Sequence, residues 1–388
     1  MGEESKAPEA MVYNPDQALF VLLVLGIAIV IVAGCAPGIQ LMSDLGSQST
    51  HTTNMAAAAD AATALGMPTG LNLDRVHEAV SAVKSTAAVP GAFPIDAMYT
   101  WVKGTDPAWW DAKARAYEQH YKAPFKENPR DPLRHPDDHD ELYYSVHMTA
   151  KFCPWLSRIW ILSAPGHRPA WMPPSGPMML GSVAVVVVHH DRVFDPKCVT
   201  QPTTFNSYVI EAQIPHIARL AEHFLMFNDD FFIGRPMDRT DFFTDQGLPK
   251  VHIRDVSKSL SAMNTMWAQH LRNMQARVRA LTGKAGLVPD HVVAPVRKSV
   301  LKAVVKTLEG EVCVMKPFRT STDFPSWYVA LNVAPSVPRG SGVTSNYFPT
   351  GPSFVQFMKT HKHPPALFCI NQEFTDDTRV ALQRILDK

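Results

Sequence analysis

The nineteen residues from Ala18 to Ala36 (ALFVLLVLGIAIVIVAGCA) contain no charged side chain, and none occurs anywhere from residue 17 to 43. At a rise of 1.5 Å per residue they reach about 28 Å as a helix, close to the roughly 30 Å core of a bilayer. A buried globular helix of that length normally shows a polar face, and this stretch has none. The sequence therefore predicts a short tail over 1–17, a membrane helix over 18–38 and a Ser/Thr/Ala-rich stem over 39–92. A cleaved signal peptide or a lipoprotein signal (Val32-Ala33-Gly34-Cys35) is the alternative, but the preceding tail is acidic at Glu3, Glu4, Glu9 and Asp16, where a signal wants positive charge. Lys6 lies before the stretch, and no Lys or Arg occurs from Ala36 to Asp74, so the charge bias favours a cytoplasmic N-terminus and a translocated body. That layout is a single-pass membrane protein, of the Golgi or ER type II kind with a lumenal body, or of a bacterial inner membrane. An oxidising side would let Cys153, Cys198, Cys313 and Cys369 pair in any of three ways.

The body reads as a globular α/β unit. Lys and Arg total 37 and Asp and Glu 36, a balance that argues against nucleic acid as a partner. Ile95 to Val102 is rich in β-branched and aromatic residues and stops at Lys103-Gly104, which predicts a strand and a turn. Leu142, Val146 and Ala150 at four-residue spacing predict a helix over 140–152. Arg158–Leu162, Val183–Val188 and Phe224–Phe227 read as further strands, and 205–222 as a helix in spite of Pro215. Strand, helix, strand, strand, helix, strand is the order of an open sheet with crossover connections, in which ligands bind beyond the carboxyl ends of the strands. Ser261–Leu281 carries Arg272, Arg277 and Arg279 and no acid, so 237–290 is expected to be a helical insertion or lid.

Two expected strand ends carry acids. Asp106 follows the first strand, and Asp229-Asp230 follows the last, inside Phe227-Asn228-Asp229-Asp230-Phe231-Phe232. Carboxylates among aromatic rings are costly without a compensating cation. A hard divalent ion takes one or two carboxylates plus substrate phosphates, and Mg²⁺ or Mn²⁺ fits that description. A plain Asn/Asp turn after a strand reads the same residues without chemistry.

Several blocks in order then resemble a known family. Ile95-Asp96-Ala97-Met98-Tyr99-Thr100-Trp101-Val102-Lys103-Gly104-Thr105-Asp106-Pro107 resembles the first block of the Stealth family, I-D-x-V-Y-T-W-V-x-G-x-D-P. Asp138-His139-Asp140-Glu141-Leu142-Tyr143-Tyr144-Ser145 resembles the opening of the second, D-N-D-E-L-R-Y-S. Thr204-Phe205-Asn206-Ser207 with Glu211 is similar to T-F-N-S-x-x-I-E, and Phe227 to Asp230 to its F-N-D-D end. His291 with Pro295 and Phe318 to Asp323 resemble the third block, and Cys369-Ile370-Asn371 the start of the fourth. The resemblance runs from Phe93 to about Glu373. The chain departs from the pattern at Asp137, where the family has Arg, at Tyr143, where it has Arg, and at Gln372, where it has an acid.

The resemblance implies a Rossmann-like, GT-A-like open sheet with helical insertions over 93–388. It also implies metal-dependent transfer of a sugar-1-phosphate from a nucleotide sugar, such as UDP-N-acetylglucosamine, to a glycan or glycoprotein hydroxyl. Asp229 and Asp230 would hold the metal. Asp230, His291, Arg319 and Asp323 are the implied catalytic residues, His291 as base or phosphate contact and Arg319 as phosphate fork. Asp96, Trp101, Asp106, Asp140, Glu141, Asn206, Glu211, Asn228, Lys316 and Asn371 are the implied substrate or nucleotide contacts. Tyr99 is a further stacking candidate, Asn206 reads equally as a helix N-cap, and Asp140 and Glu141 as first-turn acids. A homodimer is compatible with this reading. Two other readings stay open: a GT-A glycosyltransferase that releases a nucleoside diphosphate, and an inactive membrane-anchored glycan-binding homologue.

Overall fold

A computed structural model describes residues 93–126, 141–199, 204–251, 253–254, 260, 262–340 and 342–388. The expected tail, membrane helix and stem lie outside the described residues, as do Asp137 and Asp140. Among the described residues no helix is long and apolar enough to cross a membrane.

The strands of three or more residues are β1 (Ile95–Trp101), β2 (Arg158–Ser163), β3 (Met178–Leu180), β4 (Val183–His189), β5 (His223–Asn228), β6 (Phe231–Ile233), β7 (Ala294–Arg297), β8 (Ser345–Phe348) and β9 (Leu367–Ile370). The main helices are α1 (Pro107–Tyr121), α2 (Glu141–Phe152), α3 (Ser207–Gln213), α4 (Met266–Thr282), α5 (Lys298–Thr307), α6 (Ser326–Val333), α7 (Gly351–Thr360) and α8 (Asp376–Asp387). A six-stranded sheet runs β7-β5-β1-β2-β4-β3. Its four central strands are parallel and its two edges antiparallel. A second sheet runs β8-β9-β6.

Alternation along β1 sorts the core. Ile95, Ala97, Tyr99 and Trp101 join the apolar cluster that holds α2, β6 and β9, while Met98 joins the cluster that holds α4, α5 and α6. Both faces of the sheet are thus covered, as a parallel sheet requires. Tyr99 is wholly buried, stacked on Phe227 at 4.4 Å, with its hydroxyl 2.9 Å from Ser145 Oγ and 2.8 Å from Thr149 Oγ1. It is a core residue that docks α2, not a platform for a nucleotide base.

Three expectations change. The helix expected over 205–222 stops at Gln213, because Pro215 cannot continue it and the chain tightens into a 3₁₀ turn at Ile214–His216. The β4 run is parallel as expected, but Val183 and Val185 are buried while Val186 and Val188 are half-covered beside the short edge strand β3. The arginine-rich helix α4 is capped by Thr265 and ended by Gly283 in the left-handed region (φ 68°). Its Leu271, Met274, Val278 and Leu281 are buried in the core, so it is built into the fold rather than laid over it.

Candidate active site

The central strand order places β2 and β4 on one side of β1 and β5 on the other. The crevice at the β1/β5 carboxyl ends is therefore the switch point, where open α/β sheets bind ligands. Thr100 pairs with Asn228 there, and Trp101 is the last residue of β1. Beyond Asn228 the chain leaves the first sheet, turns through Asp229-Asp230, and enters the second sheet at Phe231. The two acids are thus the corner between the sheets. Asp230 is fixed by its own carbonyl, which accepts the Ile370 N–H at 3.0 Å.

Cys369 lies opposite Phe231 in the β9–β6 register, and its thiol donates to Asp230 Oδ2 at 3.3 Å. Asp230 Oδ1 is sealed from solvent and has no hydrogen-bond partner. Burial, with the Asp229 charge added, pushes the Asp230 carboxyl up to about 7. Burial and the Asp230 charge push the Cys369 thiol well above its ordinary range. Glu141, at the start of α2, acts in the same direction on that thiol. His291 comes from the loop before β7. Its ring packs edge-on against Phe231 (4.9 Å) and Tyr347 (5.9 Å), and Nδ1 makes a long 3.4 Å contact with Tyr328 Oη. Burial, helped by the Arg319 charge, lowers its pKa to about 4, so the imidazole is neutral near neutral pH. Donor atoms of Asp230, His291 and Cys369 all lie within 4.8 Å of one another. An unpartnered, sealed carboxylate oxygen in such a corner fits a cation.

A second group faces His291. Arg319 is exposed, lies over the Tyr208 ring at 4.6 Å and donates to Ser207 Oγ. Ser207 also bonds the Glu211 carboxylate, whose Oε2 accepts from Trp327 Nε1 at 3.0 Å. Burial raises Glu211 to about 7, against the opposing pull of Arg319. The loop bearing Arg319 is held by Asp323. Oδ2 of Asp323 accepts from Thr320 N at 2.9 Å and from Asn206 Nδ2 at 2.7 Å, and Oδ1 accepts from Thr320 Oγ1 at 2.9 Å.

A third group pins the loop after β1. His167 Nδ1 accepts the Lys103 N–H at 2.9 Å, which leaves the proton on Nε2 to donate to Asp106 Oδ2 at 3.0 Å. Asp106 Oδ1 caps α1 by accepting from Ala108 N at 2.9 Å. Burial tends to raise the Asp106 carboxyl, but these hydrogen bonds outweigh it and the group sits below its ordinary value.

The sequence candidates separate accordingly. Asn228, Asp229 and Asp230 form the corner, His291 lies within ligand distance of Asp230, and Glu141 acts electrostatically on Cys369, while the Arg319 charge reaches His291 and Glu211 reaches Tyr328. Trp101 ends β1 as a buried residue, and Asp106 caps the helix that follows. Asp96 does not belong: it is five positions before Trp101, about 17 Å away along the strand. There its Oδ2 accepts from Trp160 Nε1 at 2.9 Å and Ala221 N at 2.8 Å. Asn206 caps α3 through Oδ1, accepting from Tyr208 N at 3.1 Å, and gives Nδ2 to Asp323 and the Lys316 carbonyl. It is a buried structural residue, not a substrate contact. Asp323 is likewise 2% exposed with both oxygens engaged, so it supports the Arg319 loop and is not a base. Lys316 is exposed beside a groove of 470 Å³ lined also by Arg277, Thr320 and Thr322. Asn371 is exposed at the end of β9.

Sequence reasoning missed Ser207, Tyr208, Tyr328, His167 and the thiol of Cys369 as members of these groups. Ser207 and Cys369 were inside quoted motifs. His167, which meets Asp106 across 61 residues, had no local signal.

Residues 135–251 match the family model "Stealth protein CR2, conserved region 2". Sequence relatives include an exopolysaccharide phosphotransferase of Streptomyces coelicolor, 32% identical over 62% of this chain and 44% of that protein. A capsular polysaccharide phosphotransferase of Neisseria meningitidis serogroup B is 28% identical over 74% of this chain and 78% of its own length. Another, from Actinobacillus pleuropneumoniae, is 32% identical over 59% of this chain and 62% of its own. The chain thus spans 44% to 78% of these three relatives. Among solved structures, the galactosyltransferase LgtC with donor and acceptor sugar analogues covers 75% of this chain at 9% identity and a TM-score of 0.34, a likeness too loose to inform the chemistry. The matched region is a Stealth conserved region 2, and it contains the second block and the Asp229-Asp230 corner.

Proposed function

We propose that the body transfers a sugar-1-phosphate from a nucleotide sugar, such as UDP-N-acetylglucosamine, to a hydroxyl of a glycan or glycoprotein. The new bond joins the acceptor oxygen to the sugar-bearing phosphorus, the bond to the other phosphate breaks, and a nucleoside monophosphate leaves. The observation that carries this reading is the corner at the switch point, where Asp230 with its unpartnered Oδ1 lies within 4.8 Å of His291, whose ring feels the Arg319 charge. The naming of the relatives as polysaccharide phosphotransferases supports it.

Phosphoryl transfer needs positioning and neutralisation of charge more than covalent chemistry. Asp229 and Asp230 would hold a divalent cation, Mg²⁺ or Mn²⁺, which would supply charge neutralisation on the diphosphate. Arg319 binds the transferring phosphoryl group through its planar fork, and the chain Arg319–Ser207–Glu211 aims it. His291 brings the lone pair of a neutral imidazole to the same corner. Trp101 and the loop pinned by His167 and Asp106 form the nucleotide side. Lys316 and the groove beside it form the acceptor side.

The body works tethered to a membrane through residues 18–38, in an oxidising compartment, either the Golgi/ER lumen or the outer side of a bacterial inner membrane. The Cys198–Cys313 disulfide supports that compartment, since such bonds persist where thiols are not kept reduced.

The test is ³¹P NMR of the acceptor after incubation with the donor and Mn²⁺. A phosphodiester resonance on the glycan, absent with Arg319→Ala, is the expected result. A glycosylated acceptor without phosphorus would instead make the enzyme a glycosyltransferase.

A further inference from the structure

The donors that meet at the corner are not those of a hard-cation cage. Asp230 supplies oxygen, His291 nitrogen and Cys369 sulfur, all within 4.8 Å of one another. Around a tetrahedral ion with metal–ligand bonds of 2.0–2.3 Å, donors stand about 3.3–3.8 Å apart, so modest side-chain movement closes the set on a metal. The backbone is already arranged for it. The Cys369 position is fixed by its register with Phe231, the Asp230 position by the Ile370 amide, and the His291 ring by its packing on Phe231. The Cys369 thiol donates to Asp230 Oδ2, and Oδ1, sealed from solvent, has no hydrogen-bond partner.

Thiolate and imidazole donors favour borderline metals such as Zn²⁺ and Co²⁺, whereas Mg²⁺ wants oxygen ligands in octahedral array. Three protein donors leave a fourth position open, which is the pattern of a catalytic rather than a structural metal site.

We propose that Asp230, His291 and Cys369 together form a three-donor metal site that takes a borderline divalent ion through the Cys369 sulfur, in preference to Mg²⁺. This rests on the reading of the corner as the metal-binding part of a phosphotransferase, and it assigns the His291 lone pair to the metal. On binding, the Cys369 proton leaves to solvent and a metal–sulfur bond replaces the thiol–carboxylate hydrogen bond.

Co²⁺ titration of the metal-stripped full chain tests it, because a cobalt–thiolate bond gives a near-ultraviolet charge-transfer band that oxygen and nitrogen donors do not. One equivalent of Co²⁺ is expected to produce that band. Zn²⁺ at equal concentration should abolish it, and Mg²⁺ at about a hundredfold excess should leave it intact. Cys369→Ser should bind Co²⁺ without the band, and His291→Ala should weaken Co²⁺ binding at least about tenfold. Because Cys369→Ser removes a buried side chain, the Zn²⁺ and Mg²⁺ displacement of wild-type cobalt protein stands as a second readout that needs no variant. Bound Co²⁺ without the band, a band that survives in folded Cys369→Ser, displacement by Mg²⁺, or no Co²⁺ uptake would each overturn the proposal. If one of these occurs while Mg²⁺ still supports release of nucleoside monophosphate, the phosphotransferase reading stands and only the sulfur ligand falls.

Discussion

Arg319 is the residue whose loss should separate chemistry from stability most cleanly. It is exposed, donates to Ser207 Oγ and lies over the Tyr208 ring, so its removal opens no cavity in the core. Arg319→Ala is expected to lower kcat by about 10²–10³-fold, the scale of losing one preorganised charge donor, while the melting temperature hardly moves. A loss of melting temperature in step with activity would contradict the assignment. Asn206 and Asp323 should behave in the opposite way. Each satisfies the other inside the protein, and truncating one strands its partner, at a cost of about 1–3 kcal/mol. Urea unfolding of Asn206→Ala reads that cost directly, and an unchanged midpoint would show the cap to be dispensable. His167 makes a third case, because its neutral ring bonds both the Lys103 amide and Asp106. His167→Ala should raise KM for the donor several-fold through a loosened loop, with kcat little altered; an equal fall in kcat would place His167 in the chemistry itself.

Among the elements, the disulfide makes the clearest claim. Cys198 follows β4, and Cys313 lies six residues before Arg319, with 115 residues between the two sulfurs' positions in sequence. Closing so long a loop stabilises a fold by about 4–5 kcal/mol in the chain-entropy account. Reduction should therefore lower the melting temperature and weaken transfer by freeing the Arg319 loop, and calorimetry with and without dithiothreitol checks both. The same elements show what the sequence could convey. β1, β2, β4, β5 and α2 were legible because each carries its own period, two along a strand or near four along a helix. β3, β6, β8 and β9 were not, since strands of three or four residues hold too few positions to show a period. The pairing of Cys198 with Cys313 was one of three open choices, because only the fold brings Cα atoms 115 residues apart to 4.4 Å. Asp96 misled for a related reason: its motif lies on the right strand, but function depends on which end of the strand a residue occupies.

For the whole molecule, buried titratable groups set the pH range of stability. Burial holds His190 and His223 at about 3 in the fold, against an ordinary 6.5. Unfolding lets them take protons, so their contribution is present above about 6.5 and is lost as pH falls from there toward 3. Glu211, raised by burial from 4.5 to about 7, has the opposite sign: its contribution is present below 4.5 and is lost as pH rises through 7. Thermal unfolding across pH 4–9 should show a maximum just below neutrality. Glu211→Gln should flatten the alkaline side, and a melting temperature that climbs steadily to pH 9 would contradict the burial of that carboxylate. The candidate site was legible in part at this scale. The acid pair, His291 and Arg319 came from motifs, yet their meeting point depends on the corner where two sheets join, which no local pattern encodes.

The central claim is that the bond broken lies between the two phosphates of the donor. Chromatography of the nucleotide released from UDP-N-acetylglucosamine or another nucleotide sugar tests it directly, with wild-type chain and Asp230→Ala in parallel. The account predicts nucleoside monophosphate from the wild type and none from the variant. Nucleoside diphosphate from the wild type, or monophosphate undiminished in Asp230→Ala, would contradict it.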